Sequence, residues 1–143
     1  MTLGLRAQPE YSHLAEQSYL KYYEAHPFDC ANIPDSLFST LSMRICANIK
    51  LREQDVILAG YVDSVRQQIG RWKDDTLLME FEALQKAWRR YRDRKASLIY
   101  QSYEGCGGCH LRSIHYMGTL RRMTEIRIEE LQRLLTYYRQ EEY

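Results

Sequence analysis

Leu84-Gln85-Lys86-Ala87-Trp88-Arg89-Arg90-Tyr91-Arg92-Asp93 is the stretch on which the fold turns. It sets one of the chain's two tryptophans, a tyrosine one turn later and an Arg-Asp pair inside a long helical pattern. Side chains three and four apart share a helix face, so Phe81, Leu84, Trp88 and Tyr91 are expected to form one apolar line. An indole in that line fixes the packing of neighbouring helices. The charges of the same segment either coat its outside or enter a buried polar network.

Working outward, the third helix is expected to start at Asp75 or Thr76, either of which can cap it, and to run to about Tyr103. Its inward stripe reads Leu77, Phe81, Leu84, Trp88, Tyr91, Lys95 and Leu98 or Ile99. Glu104-Gly105-Cys106-Gly107-Gly108-Cys109 then reads as a tight loop, because glycines there do not continue a helix comfortably. A last helix takes the remainder, with Ile114, Met117, Leu120, Thr124, Ile128, Leu131, Leu134 or Leu135 and Tyr138 facing inward.

On the other side, a second helix is expected from about Asp35 to Gly70. Its stripe is Leu37, Leu41, Ile45, Ile49, Val56, Leu58 or Ala59, Val62, Val65 and Ile69. Lys50 to Asp55 interrupts it with charge, although Asp55 lies near the stripe, and Gly60 marks close packing or a bend. A shorter first helix runs from Pro9 to Ala25, since the residue before Pro27 avoids the helical region. Residues 1–8 read as a flexible lead-in and 9–143 as a single domain. The three later helices would each be about 40–50 Å long at about 1.5 Å per residue. Near-equal rods joined by short loops make an all-α fold: an antiparallel up-down bundle of three long helices plus a shorter N-terminal helix.

Composition agrees. The 143 residues suffice for one core, with 45% apolar and 27% charged residues, and only 3 prolines and 7 glycines to supply β-turns. A net charge of +1 gives no strong field for nucleic acid or an anionic membrane. No run of about 18 apolar residues is present to span a bilayer. The first ten residues carry no apolar core of a signal peptide, which leaves a cytosolic protein or an exported one whose leader has been removed. Four cysteines, an even number, lean toward an oxidising compartment.

Cys106-Gly107-Gly108-Cys109-His110 is the sharpest motif. CxxCH is the attachment signature of c-type haem, in which both thiols form thioethers and the histidine ligates iron; Met117, Met123 or His115 would be the second axial ligand. The same cysteines with His110, His115 or His26 would hold zinc, but no second ligand pair accompanies them. A CxxC redox centre normally accompanies a βαβ pattern, which is lacking. The plain alternative is a glycine-rich turn between helices. Cys30 and Cys46 read as a disulfide joining the loop to the second helix, if the protein is exported. With that helix starting at Asp35, Cys46 would lie about 16 Å along it and the bridge would be taut. The other reading makes Cys46 a small buried residue and Cys30 a free thiol. No Ser-His-Asp order, phosphate loop or HExxH helix points to catalysis.

Taken together, the fragments resemble the LprI-like lysozyme-inhibitor family, small exported helical proteins of bacteria. The resemblance rests on Asp29-Cys30-Ala31-Asn32, then Cys46 with Asn48 and Leu51, then Asp55, Leu58 and Tyr61. It continues with Leu84, Gln85, Trp88, Tyr91, Arg92 and Asp93, and ends with Thr124, Arg127 and Leu131. The chain departs from the family where a cysteine usually follows the Arg-Asp pair, for Lys95, Ala96 and Ser97 stand there. Cys106 and Cys109 instead occupy the glycine-rich turn, as a local bridge, a metal site or free thiols. The resemblance implies an exported, periplasmic or secreted, protein-binding function without catalysis or cofactor. Its partner would be a lysozyme-type muramidase or a cell-wall-targeting toxin, met as inhibitor or immunity protein. Acidic groups at Asp74-Asp75 with Glu80 and Glu82, or at Glu141-Glu142, would supply a local patch. The resemblance also suggests that Gln85, Arg92 and Asp93 join Asp55, Thr124 and Arg127 in a network clamping three helices. The rival from another class is a monohaem c-type cytochrome carrying haem c on Cys106, Cys109 and His110 for electron transfer.

Overall fold

The structure, a computed structural model, describes residues 14–35, 39–102 and 110–141. They form four helices: α1 (Leu14–Ala25), α2 (Thr40–Trp72), α3 (Asp75–Gln101) and α4 (His110–Gln140). No strand occurs among the described residues. The chain is an all-α bundle of three long helices with a shorter one at its N-terminal side. The lead-in expected at residues 1–8 and the expected helix start at Pro9 lie outside the described residues.

α2 begins later than the sequence suggests, at Thr40 rather than Asp35. The reason is a capping box at Ser39: its Oγ accepts from the Ser42 amide at 3.2 Å, and the Ser42 Oγ accepts from the Ser39 amide at 2.9 Å. Two otherwise orphaned amides are satisfied together there. The later start brings Cys46 back toward the loop, so Cys30 and Cys46 bridge with a Cα–Cα distance of 5.5 Å instead of a taut span. α2 also runs through Gly70 to Trp72. It is stopped by Lys73, the one non-glycine residue with positive φ (54°) among those described, whose amide bonds the Gly70 carbonyl at 3.2 Å. Asp74 then caps α3, its Oδ1 accepting from the Leu77 amide at 2.9 Å. Gly60 marks no close approach, for a Cβ there would meet open space.

The side-chain pairings give the directions. Gln85 with Arg127, Arg92 with Thr124 and Tyr100 with Tyr116 run oppositely along α3 and α4. Asp55 with Arg92 and Arg66 with Glu82 run oppositely along α2 and α3. Tyr61 with Gln132 and Trp72 with Tyr138 run in the same sense along α2 and α4.

The core has two parts. At the α2–α3 turn, Leu58, Val62, Val65, Ile69, Phe81, Ile128, Leu131 and Leu135 form one buried cluster. Toward the disulfide, Leu51, Ala96, Met117 and Leu120 form a second. Between them in all three helices stand polar residues: Asp55 on α2, Arg92 on α3 and Thr124 on α4.

This layer corrects the expected stripes. Leu84, Tyr91, Lys95 and Leu98 are exposed; Phe81 is buried as expected, and with it α3 buries Gln85, Arg92 and Ala96. Both lines have helical spacing, but only the second lets Arg92 reach Asp55 and Thr124. A guanidinium given several acceptors is tolerated inside, and the helix is rotated accordingly. On α2, Leu41 and Val56 are likewise exposed, Leu51 is buried outside the expected stripe, and of Leu58 and Ala59 it is Leu58 that is buried.

Candidate functional site

Arg92 is the centre of the layer and is 2% exposed. Its Nη1 donates to Asp55 Oδ1 at 3.1 Å and to Thr124 Oγ1 at 3.2 Å, and its Nε to Asp93 Oδ1 at 3.0 Å. Thr124, fully buried, donates in turn to the Leu120 carbonyl at 2.7 Å. One arginine therefore ties α2, α3 and α4 together with two carboxylates to balance it. Breaking such a pair from one side leaves an uncompensated charge in a dry setting.

A second arginine sits one turn further along α4. Arg127 donates through Nε and Nη2 to Gln85 Oε1, at 3.2 and 3.1 Å, and through Nη1 to Glu130 Oε2 at 2.9 Å. Two arginine donors on one oxygen fix which way the Gln85 amide points, because the reversed amide would set N–H against N–H. Both guanidinium groups lie over the Trp88 ring, Arg92 at 4.9 Å and Arg127 at 5.8 Å from its centroid. Trp88 is half-buried, joining the larger apolar cluster while its π-face meets cations.

The structure thus brings together Asp55, Gln85, Trp88, Arg92, Asp93, Thr124 and Arg127. Tyr61 stands apart, where its hydroxyl accepts from Gln132 Nε2 at 2.9 Å and links α2 to α4. Tyr91 does not join at all; it is 61% exposed, with the Lys95 ammonium 6.0 Å from its ring centroid. Sequence reasoning missed Glu130, whose signal was its i, i+3 spacing from Arg127. It also missed Arg66, which pairs with Glu82 across α2 and α3, its Nη2 2.9 Å from Glu82 Oε2 and its Nη1 3.2 Å from Asp63 Oδ1. The hydrogen bond from Arg66 holds the Glu82 carboxyl below its ordinary value.

The cysteine segment is organised by Asp29. Its Oδ1 accepts from the Ala31 amide at 2.9 Å and its Oδ2 from Asn32 Nδ2 at 3.2 Å, a turn that presents Cys30 to α2. The Ala31 amide also holds the Asp29 carboxyl below its ordinary value. On α2 the buried Asn48 donates to the Arg44 carbonyl at 2.9 Å, beside Cys46. Cys106, Cys109 and the His110 side chain lie outside the described residues. Met117 belongs to the smaller apolar cluster and His115 is exposed. No group of three metal-capable side chains gathers among the described residues.

Of the acidic groups, Asp74, Asp75 and Glu80 are exposed near the α2–α3 turn, where Met79 is 72% exposed and Arg71 and Lys73 are exposed as well. No described helix is long and apolar enough to cross a membrane. Nothing in the buried layer presents a nucleophile with its base or an open cleft. The described residues thus form a disulfide-tied helical bundle clamped by a buried Arg-Asp-Thr layer. The chain matches the family described as Lysozyme inhibitor LprI over residues 30–131, and it belongs to that family. The matched span runs from the first disulfide cysteine to Leu131 of the larger apolar cluster. Neither a curated protein nor a solved structure matched the chain. Family membership gives the general kind of function, inhibition through binding a lysozyme-type protein.

Proposed function

We propose that the protein acts outside the reducing cytosol, where it binds a peptidoglycan-cleaving enzyme, a lysozyme-type muramidase or a cell-wall-targeting toxin, and blocks it without catalysis of its own. The family match over 30–131 carries this reading. The Cys30–Cys46 disulfide supports the compartment, because such bridges persist in oxidising surroundings. The buried layer serves the scaffold, and the contact lies on the surface it holds rigid. For a cationic lysozyme the place that offers carboxylates is the α2–α3 turn, where Asp74, Asp75 and Glu80 are exposed near an exposed Met79, with Arg71 and Lys73 exposed on the same turn. Opposed charge speeds encounter, and an exposed thioether supplies adaptable apolar contact.

The test is turbidimetric lysis of a peptidoglycan suspension by lysozyme, with and without a molar excess of the purified protein. Slowed lysis is expected, with the effect weakened at least about tenfold in Asp75→Lys/Glu80→Lys. If the oxidised protein neither slows lysis nor retains any member of a panel of muramidases, the reading is wrong.

A further inference from the structure

The rotation that buries Arg92 leaves a line of apolar residues on the outside of α3. Leu84, Tyr91 and Leu98 are spaced by two turns each, and they are 54%, 61% and 67% exposed. The line spans about 21 Å along the helix. Ala87 fills the surface between Leu84 and Tyr91.

Five exposed cations stand on the same helix, Lys86, Arg89, Arg90, Arg94 and Lys95; Arg94 and Lys95 flank the line, Arg90 lies about a quarter turn from it, and Lys86 and Arg89 lie further round. Lys86, Arg90 and Arg94 form an i, i+4, i+8 ridge, while Arg94 and Lys95 lie between Tyr91 and Leu98. None of the five is in an ion pair among the described residues. The only acid between residues 83 and 98 is Asp93, and it is occupied by Arg92. Like charges at i, i+4 destabilise a helix, so the ridge is held against the interest of the fold. The helix dipole does not account for it either, since that effect is confined to the last turn and α3 continues to Gln101. In a chain whose net charge is +1, this is a local field rather than a global one.

We infer that the outer face of α3 docks flat on an anionic phospholipid bilayer. Arg90, Arg94 and Lys95 would meet the headgroup phosphates, and Leu84, Tyr91 and Leu98 would enter the headgroup–acyl boundary. A second copy does not fit, because pairing two such faces sets cation against cation. Nucleic acid leaves Leu84 and Leu98 without a use. A single helix face is convex and gives an acidic peptide no groove, whereas a bilayer is a plane that fits a long exposed rod. Long basic side chains can keep their charges among headgroups while their stems lie against apolar surface. A tyrosine at the centre suits the same boundary, with an apolar ring and a polar tip.

The experiment is co-sedimentation of the full oxidised chain with vesicles of phosphatidylcholine mixed with phosphatidylglycerol, against vesicles of phosphatidylcholine alone, at low and high salt. Binding to the anionic vesicles only, weakened by salt, is expected. Arg90→Glu/Arg94→Glu should weaken it at least about tenfold. Leu84→Ser/Leu98→Ser should weaken it while leaving the salt dependence in place. Reversing two exposed arginines at the far end, Arg71→Glu/Arg139→Glu, keeps the same net charge as the first variant and should retain most binding. All six positions are exposed, and circular dichroism melts check that each variant folds. Absent binding, equal binding to both vesicles, or equal loss in the Arg71/Arg139 variant would overturn the inference. Retention on immobilised polyglutamate without vesicle binding would overturn it too, by assigning the face to an acidic protein. Lysozyme inhibition by Arg90→Glu/Arg94→Glu is expected to stay at the wild-type level, so this inference and the proposed function stand or fall separately.

Discussion

The two ends of the bundle are built differently. At the α2–α3 turn, eight buried apolar residues from three helices meet, with Trp72 edge-on to Tyr138 at 4.9 Å. At the other end, among the described residues, the buried apolar cluster is Leu51, Ala96, Met117 and Leu120, with Ile45, Cys46 and Met123 buried outside it. Apolar burial scales with area, so among the described residues the first end's cluster contributes more than the second's. The second end carries the Cys30–Cys46 disulfide, and the Arg92 layer separates it from the rest. Covalent and ionic links stand where the described apolar cluster is smaller.

The largest expected effect lies in the layer between the ends. Arg92→Ala removes three donor contacts and leaves Asp55 and Asp93 facing each other beside a fully buried Thr124, which should destabilise the fold by about 3–5 kcal/mol in urea unfolding. Replacing the network by well-packed apolar residues, as in Asp55→Leu/Arg92→Met/Asp93→Leu, should recover most of that. If the triple variant were as unstable as Arg92→Ala, the charge argument would be wrong and shape alone would set the layer. The comparison is sharpened next by matched truncations. Leu131→Ala in the first end's cluster is expected to lose about 4 kcal/mol, and Leu51→Ala in the second end's about 2 kcal/mol, since a smaller cluster collapses more readily around a cavity. Equal losses would mean that the two ends are packed alike.

Opening the disulfide comes after these. Cys30→Ser/Cys46→Ser frees a crosslink between residues separated by 16 in sequence, for an expected loss of about 3 kcal/mol. Hydrogen exchange should show the loss unevenly. α1 and the first turns of α2 exchange early, while amides from Leu58 to Ile69 keep their protection. Uniform loss along α2 would show that the layer does not insulate one end from the other.

These features differ in how far the sequence discloses them. The four helices, their order and the Cys30–Cys46 pair are legible because they follow local signals: a 3.6-residue period, prolines and glycines between rods, and few cysteines. The start of α2 is not, since Pro34-Asp35 is as good a start signal as Ser39 until the Ser42 hydroxyl is seen closing its box. The facing of α3 is hidden for a deeper reason. Adding Leu84, Tyr91 and Leu98 to Phe81 and Trp88 makes a more apolar line than adding Gln85 and Arg92, and periodicity favours the former. What decides is an arginine's access to partners on two other helices, which no window on one helix contains. The members of the network are nameable through the family fragments, but their contacts are not. Tyr91, named with them, faces solvent.

The smallest expected effect isolates depth from chemistry. Arg66 and Glu82 link the same two helices as Arg92 and Asp55, again through a guanidinium and a carboxylate, but both are about two-fifths exposed. Water screens them and the geometry must be held by two long side chains, so Glu82→Gln should lose under about 1 kcal/mol at neutral pH. Because Arg66 lowers the Glu82 pKa below 4.5 in the folded protein, the pair stabilises above that value. The stabilisation is lost as pH falls through the folded pKa, since the unfolded chain then binds the proton first. Melts of wild type and Glu82→Gln should therefore differ slightly at pH 7 and converge as acid takes the pH below the lowered Glu82 pKa. A gap that persisted in acid would mean that the substituted amide disturbs local packing rather than an ion pair. A gap at pH 7 as large as that of Arg92→Ala would remove burial as the reason why the layer, and not the surface, holds the two ends together.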